Sequence, residues 1–475
     1  VDTETDQGNP TDHLSSHRLF TGGVGALVVA IGYFVWAAGG AVDLPEIIGF
    51  SILILASLPI LLWAKNRRTW FPAFEISMLA CVAFYALPLL NRKDELLDYP
   101  PNVITQGAFL ALIYVITANL GFFIVRNPVR ASGWATSSLL PESSFRYLPV
   151  GVLLNTIYIY TSSFTTVIPY NLDGSLRALF LGVGTISLFV LARLWGLGQL
   201  DRKVITFVVI NIFAQLVFLF STLYLIGGIS MLALTLISYA SAKRKIPWLI
   251  IAIVFPVIAL LHIGKSDMRA IYWEPNATPI TISDLPAYYE EWFDRSLSAR
   301  EDHRRNPTDS ISIFQRASLI QMLCLSVDQV PTPKPYLYGE SYLDIPAQII
   351  PRFFWPDKPS SLLSNIRLAL YFNLVSTESA FKVSIAFGMI AEAYINFGVL
   401  GVALLGLFLG MGFKRISMLS EQAAQFSALG IFMILLTAWS FQVEQVMATW
   451  LSSLFQACVI SIGIPVVWKK FFGAA

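Results

Sequence analysis

Apolar residues run along this chain in blocks of roughly twenty, the length an α-helix needs to cross the hydrocarbon core of a bilayer. The blocks cover 19–42, 46–64, 70–91, 102–126, 146–164, 176–198, 203–223, 225–242, 246–264, 384–412, 425–443 and 448–468. They predict about twelve spanning helices and an all-α polytopic membrane protein. The first block follows a polar tail, residues 1–18, and is too long for the core of a signal peptide, so it reads as a retained helix.

One long polar stretch, residues 265–383, interrupts this pattern. Residues 273–310 mix both charges and predict a partly helical, solvated segment. Residues 311–329 space their apolar positions at helical period, with Arg316 and Asp328 as polar points, which predicts an amphipathic helix on or dipping into the membrane. The prolines of 331–360 predict an extended, rigid loop, and 362–373 a second short helix. The expected organisation is therefore a tail (1–18), nine spans (19–264), a large extracytoplasmic loop (265–383) and three spans (384–475).

Composition agrees. The chain is 56% hydrophobic and 13% charged, against about 25% charged in a soluble domain. Orientation follows from the basic clusters Lys65/Arg67/Arg68, Arg126/Arg130, Arg202/Lys203, Lys243-Arg244-Lys245, Lys414-Arg415 and Lys469-Lys470. They follow alternate spans, so both termini are expected in the cytoplasm and the large loop outside. Cys81, Cys324 and Cys458 have no disulfide or metal spacing, and His13, His17, His262 and His303 are too dispersed for a ligand cluster. No basic tract interleaved with aromatics points to nucleic acid.

Candidate chemistry gathers around the loop. Lys265 and Arg269 share a helical face where the ninth span ends, suited to a phosphate group or to anchoring at the interface. Arg316, Arg352 and Arg367 are further cations, and Arg352 stands between Pro351 and the aromatic run Phe353-Phe354-Trp355. Those aromatics could stack on sugars or form an interfacial belt. Glu392, Tyr394 and Asn396 fall inside an apolar span, where an ionisable group is costly; Glu392 reads as a base, an orienter of an Arg, or a member of an internal ion pair that holds helices together. Gly388 and Gly398 beside them suit close helix approach. Glu75 reads as structural, Glu444 as a further membrane carboxylate facing the outside, and His262 as a core histidine or a base.

Taken in order, Gly264-Lys265-x-x-x-Arg269, Gly339-Glu340-Ser341-Tyr342, Pro351-Arg352 with Trp355-Pro356-x-Lys358-Pro359, and Ala391-Glu392-Ala393-Tyr394-x-Asn396-Phe397-Gly398 resemble the Wzy-type polymerases of O-antigen, common antigen and exopolysaccharide. These are similar to the O-antigen ligases among the C-type membrane glycosyltransferases. The resemblance implies transfer of a glycan from undecaprenyl diphosphate to the end sugar of an incoming lipid-linked repeat unit, with inversion and without metal or other cofactor. It implies the bacterial inner membrane, and a chain-length regulator and a flippase as partners. It assigns Lys265, Arg269 and Arg352 to the diphosphate, Arg316 and Arg367 after them, and Tyr394, Asn396, Trp355 and Lys358 to the substrate pocket. The base stays open among Glu392, His262, Glu340 and Asp344. A ligase, or a flippase or transporter of lipid-linked oligosaccharide, is the alternative; two related halves, common in transporters, are not visible in the sequence.

Overall fold

A computed structural model describes residues 10–37, 42–66, 72–91, 96, 98–127, 130–139, 142–165, 167–243, 247–274, 278–305, 318–350, 355, 363–375, 385–424 and 426–472. Among them the principal helices are α1 (Pro10–Ala37), α2 (Leu44–Asn66), α3 (Ala73–Cys81), α4 (Pro101–Ile124), α5 (Leu148–Phe164), α6 (Tyr170–Gly196), α7 (Arg202–Ser221), α8 (Leu225–Lys243) and α9 (Trp248–Tyr272). They continue with α10 (Leu285–Arg305), α11 (Leu319–Gln329), α12 (Asp344–Ile349), α13 (Leu363–Tyr371), α14 (Gly388–Ser420), α15 (Ala428–Trp439) and α16 (Met447–Phe472). The protein is all-α: among the described residues the only β pairing reported is an isolated bridge between Ser138 and Ser427.

Nine helices among the described residues are long and apolar enough to cross a membrane. The other three predicted segments also hold helices. These are α5, of 17 residues, α15, of 12 residues, and α8, whose apolar part is Leu225–Ala240. After α3 the chain widens into a π turn, Val82–Ala86. Pro88 follows, with no N–H for the carbonyl four residues earlier, and a wider turn relieves that mismatch.

The chain divides into two compact units. The first comprises Val1–Ser138, Ala317–Ile350 and Lys358–Phe455. Its centre is the packing of α4 on α14. A Cβ at Gly410 would strike the Ala118 carbonyl, and one at Gly406 the Thr117 hydroxyl, so these glycines allow the two backbones to touch. The second unit comprises Leu139–Arg316, Pro351–Asp357 and Gln456–Ala475, with α6 packed on α5 and α8, and α10 on α9.

Several loop expectations change. In α11 the apolar side, including Leu319, Ile320 and Leu323, is buried by α4 and α14, so protein rather than lipid covers it. The helix α10 is not simply solvated. Its Trp292 is fully buried and donates to the Leu261 carbonyl (2.8 Å), and Tyr288 donates to that of Ser221 (3.1 Å). Within 331–360 the chain is not uniformly extended, because Glu340–Leu343 forms a 3-10 turn that leads into α12. Gly388 (φ +77°) and Gly398 (φ +63°) hold left-handed backbone that a side chain would strain. Gly398 breaks α14 into two segments, a role beyond the expected close packing.

Candidate functional site

The first unit joins three stretches that are far apart in sequence: 336–344, 363–371 and the first segment of α14. The break at Gly398 leaves carbonyls of the preceding turn without helical partners. Loop backbone supplies them, with Leu337 N–H donating to the Ile395 carbonyl (3.0 Å) and Tyr338 N–H to that of Asn396 (3.1 Å). The Asn396 side chain completes the joint. Its Oδ1 accepts from Gly339 N–H (2.9 Å), and its Nδ2 donates to Ser341 Oγ (2.8 Å) and to the Glu392 carbonyl (2.8 Å).

Glu392 lies at the bottom of this joint with no solvent exposure. One carboxylate oxygen accepts from Ser341 Oγ (2.8 Å) and the other from Met447 N–H (2.7 Å), the first residue of α16. A carboxylate at a helix N-terminus satisfies an otherwise orphan N–H and meets the positive end of the helix dipole. Each oxygen already has a partner, and both partners are neutral donors rather than the cation of the expected ion pair, so the geometry favours a hydrogen-bonded anchor over the base. Tyr394 likewise spends its hydroxyl on the Val330 carbonyl (3.0 Å), which makes it a brace for the loop.

Above this buried joint is an accessible one. Arg367 of α13 donates to Glu340 Oε1 (2.8 Å) and to Asp344 Oδ1 (3.1 Å). Asp344 Oδ2 also accepts from Ser364 Oγ (3.2 Å). The side chain of Glu340 is 52% exposed, that of Arg367 32%, and that of Asp344 10%. Asp344 is thus the inner, doubly bonded member, and Glu340 is the carboxylate open to solvent. Lys334 and Tyr371 fasten the far end of α13, through Lys334 Nζ to the Tyr371 carbonyl and Tyr371 OH to that of Pro335.

The second unit holds the other candidates, on α9. His262 and Lys265 are half-buried. Arg269 donates to the Leu223 carbonyl (2.7 Å), and its guanidinium lies over the rings of Trp273 (4.1 Å) and Tyr224 (5.3 Å). Leu223 has φ +61°, an uncommon conformation for a non-glycine residue, in the turn between α7 and α8. Arg269 therefore ties that turn to the end of α9.

Beside these residues a cleft of about 660 Å³ opens. Ser163 and Thr165 from the end of α5, Ser221–Leu223 from the end of α7, Tyr272 and Trp273 from the end of α9, and Thr278–Ile280 line it. Tyr272 donates to Glu291 Oε2 (2.7 Å). Burial, then that bond, pushes its phenol above the ordinary range.

Trp355 is partly exposed. Arg316, Arg352 and Lys358 lie outside the described residues. Among the described residues no three His, Cys, Asp or Glu side chains gather as a metal site would require.

A family model described as a domain of unknown function, DUF8712, matches residues 155–446, more than half of the chain. The chain belongs to that family. No curated protein and no solved structure matches it. The matched stretch of this DUF8712 member contains both groups of candidate residues and leaves out the first four helices.

It also begins at a group that was not singled out from sequence. In the second unit Asn155 and Thr156 of α5 meet Asn211 and Gln215 of α7 in a buried ladder. Asn155 Nδ2 donates to Gln215 Oε1 (3.1 Å), Thr156 Oγ1 to Asn211 Oδ1 (2.8 Å), and Gln215 Nε2 to Thr156 Oγ1 (2.8 Å). The spacing of Asn211 and Gln215, one turn apart in an apolar helix, was the available signal.

Proposed function

We propose that this protein joins undecaprenyl-diphosphate-linked oligosaccharide repeat units into a surface polysaccharide, at the outer face of a bacterial inner membrane. On this reading all twelve apolar segments span, both termini are cytoplasmic, and residues 265–383 face outward. The observation that carries it is the meeting of Glu340, Asp344 and Arg367 at an accessible edge, held on the Ser341–Glu392–Asn396 joint. Two of the stretches behind the family resemblance, 339–342 and 391–398, are bonded to each other there.

The chemistry needs a base for the acceptor hydroxyl and a cation for the leaving diphosphate. Glu340 takes the hydroxyl proton as the new glycosidic C–O bond forms. The old bond from the anomeric carbon to the diphosphate oxygen breaks, and the lipid diphosphate leaves with that electron pair. Arg367 offers its planar fork to the phosphate oxygens, while Asp344 keeps it aimed. Lys265, Arg316 and Arg352 as diphosphate cations, and Trp355 and Lys358 as pocket residues, enter through the family resemblance alone. Transfer proceeds with inversion and without metal. A flippase would use the carbonyls freed at a helix break for its cargo. Here those of Ile395 and Asn396 are already occupied by the loop.

Deletion of the gene tests the reading, with the surface glycan compared on a gel with that of the complemented strain. Loss of the long ladder, with a single repeat unit still attached, is expected. Loss of all attached glycan, with polymer retained on the lipid carrier, would make the protein a ligase. Repeat units held at the cytoplasmic face would make it a flippase.

A further inference from the structure

The cleft of the second unit has a chemistry of its own. Among the described residues, apart from the Tyr272 phenol, whose proton is already given to Glu291, no ionisable side chain lines it. Five Ser and Thr side chains line it, and three of them have their hydroxyl protons committed. Thr165 Oγ1 donates to the Thr161 carbonyl (2.6 Å), Ser221 Oγ to that of Phe218 (2.8 Å), and Thr222 Oγ1 to that of Leu219 (2.7 Å). A Ser or Thr hydroxyl has one proton and two lone pairs. With their protons committed to helix carbonyls, these three groups can meet a ligand only as acceptors, Thr222 Oγ1 while also accepting from Tyr224 N–H (3.4 Å).

Acceptors disfavour an anion, and the Arg269 guanidinium beside them is already engaged by the Leu223 carbonyl and the Trp273 ring. A cation would suit acceptors and an aromatic wall, but Arg269 already lies 4.1 Å from the Trp273 ring centre. That fixed positive charge both occupies the ring's π face and opposes a second cation beside it. What remains is a neutral ligand with many hydroxyl donors and an apolar face to set against Trp273, which is 44% exposed. The volume of about 660 Å³ lies within the roughly 300–1,000 Å³ usual for ligand sites.

We propose that this cleft binds a short neutral oligosaccharide, with Trp273 as the stacking platform, Thr165, Ser221 and Thr222 as hydrogen-bond acceptors, and Arg269 as the positioning residue behind the platform. The identity of the glycan as substrate rests on the polymerase reading; the neutrality of the site rests on the cleft alone.

Full-length protein in lipid nanodiscs would be probed on an array of neutral, uronic-acid-bearing and amine-bearing oligosaccharides. Neutral glycans bind, and the charged classes bind at least tenfold more weakly. Trp273→Ala weakens neutral binding more than tenfold, while Trp273→Phe retains most of it. Thr222→Val keeps shape but removes the acceptor and weakens binding about fivefold, which covers the case where Trp273→Ala fails to fold. A preference for acidic or amine-bearing glycans, no glycan binding at all, or neutral binding unchanged in both Trp273→Ala and Thr222→Val overturns the proposal. The two readings fail separately. Neutral binding that depends on Trp273, in a protein whose deletion leaves the long ladder intact, keeps the cleft and removes the polymerase. A lost ladder with no glycan bound does the reverse.

Discussion

Glu392 and Glu340 sit on either side of one serine contact in the first unit, and they are opposites. Glu392 is fully buried, and each of its oxygens accepts from a fixed donor, Ser341 Oγ and Met447 N–H. Glu340 is half exposed and shares one oxygen with a partly exposed Arg367. A buried carboxylate with every partner built in is held for the fold. An accessible one, set beside a cation that can also receive phosphate, is free for chemistry. The position in an apolar span that makes Glu392 conspicuous in the sequence thus favours an anchoring role, and the less conspicuous loop residue is the one proposed as the base.

This contrast can be broken in several places. The largest effect is expected from Glu392→Leu, which leaves the Ser341 hydroxyl proton and the Met447 N–H without their acceptor. Two donors deprived of a buried acceptor cost on the order of 3 kcal/mol. The variant should unfold far earlier than wild type in detergent, whereas Glu392→Gln recovers part of the loss. Unchanged melting of Glu392→Leu would leave Glu392 available for catalysis.

Next comes a pH effect at Glu444, in the loop before α16, whose burial raises its pKa from 4.5 to about 7. The folded state holds the proton more tightly than the unfolded chain. The stability this provides is complete below pH 4.5 and is lost as pH rises through about 7. The shift corresponds to roughly 3 kcal/mol between these limits. Glu444→Gln should flatten the dependence of melting temperature on pH across that window, and an identical slope in the variant would remove the residue from the account.

A smaller effect is expected in the second unit. Gln215→Leu breaks the ladder with Asn155 and Thr156, at a cost of about 1 kcal/mol, as bonds between membrane helices usually show. A melting point within error of wild type would mean that the ladder does not hold α5 to α7. Smallest in stability is Glu340→Gln, since an exposed ion pair contributes about 1 kcal/mol at most. It is nevertheless the variant expected to abolish polymer. That separation of stability from activity is what sharpens the comparison with Glu392.

The all-α membrane class was legible because apolar runs near twenty residues have few other uses, and a helix forms in every predicted span. The break at Gly398 was not, since a glycine in an apolar run reads equally well as a packing contact. Its φ of +63° goes with the loop that pairs with Ile395 and Asn396, a partner distant in sequence. The partners of Glu392 were hidden for the same reason, because Ser341 and Met447 lie 51 and 55 residues away. Arg269 was correctly placed at the end of α9, but its contacts with Leu223, Tyr224 and Trp273 depend on how the α7–α8 turn folds back. The ladder of Asn211 and Gln215 was missed, although amides one helical turn apart in an apolar segment were a signal for it.

The most direct test is to complement the deletion strain with Glu340→Gln and resolve its surface glycan on a gel, with protein level and melting temperature measured alongside. Wild-type protein level, near-wild-type melting and a glycan stopped at a single repeat unit are predicted. A ladder of wild-type length from a stable Glu340→Gln protein would contradict the assignment of Glu340 as the base.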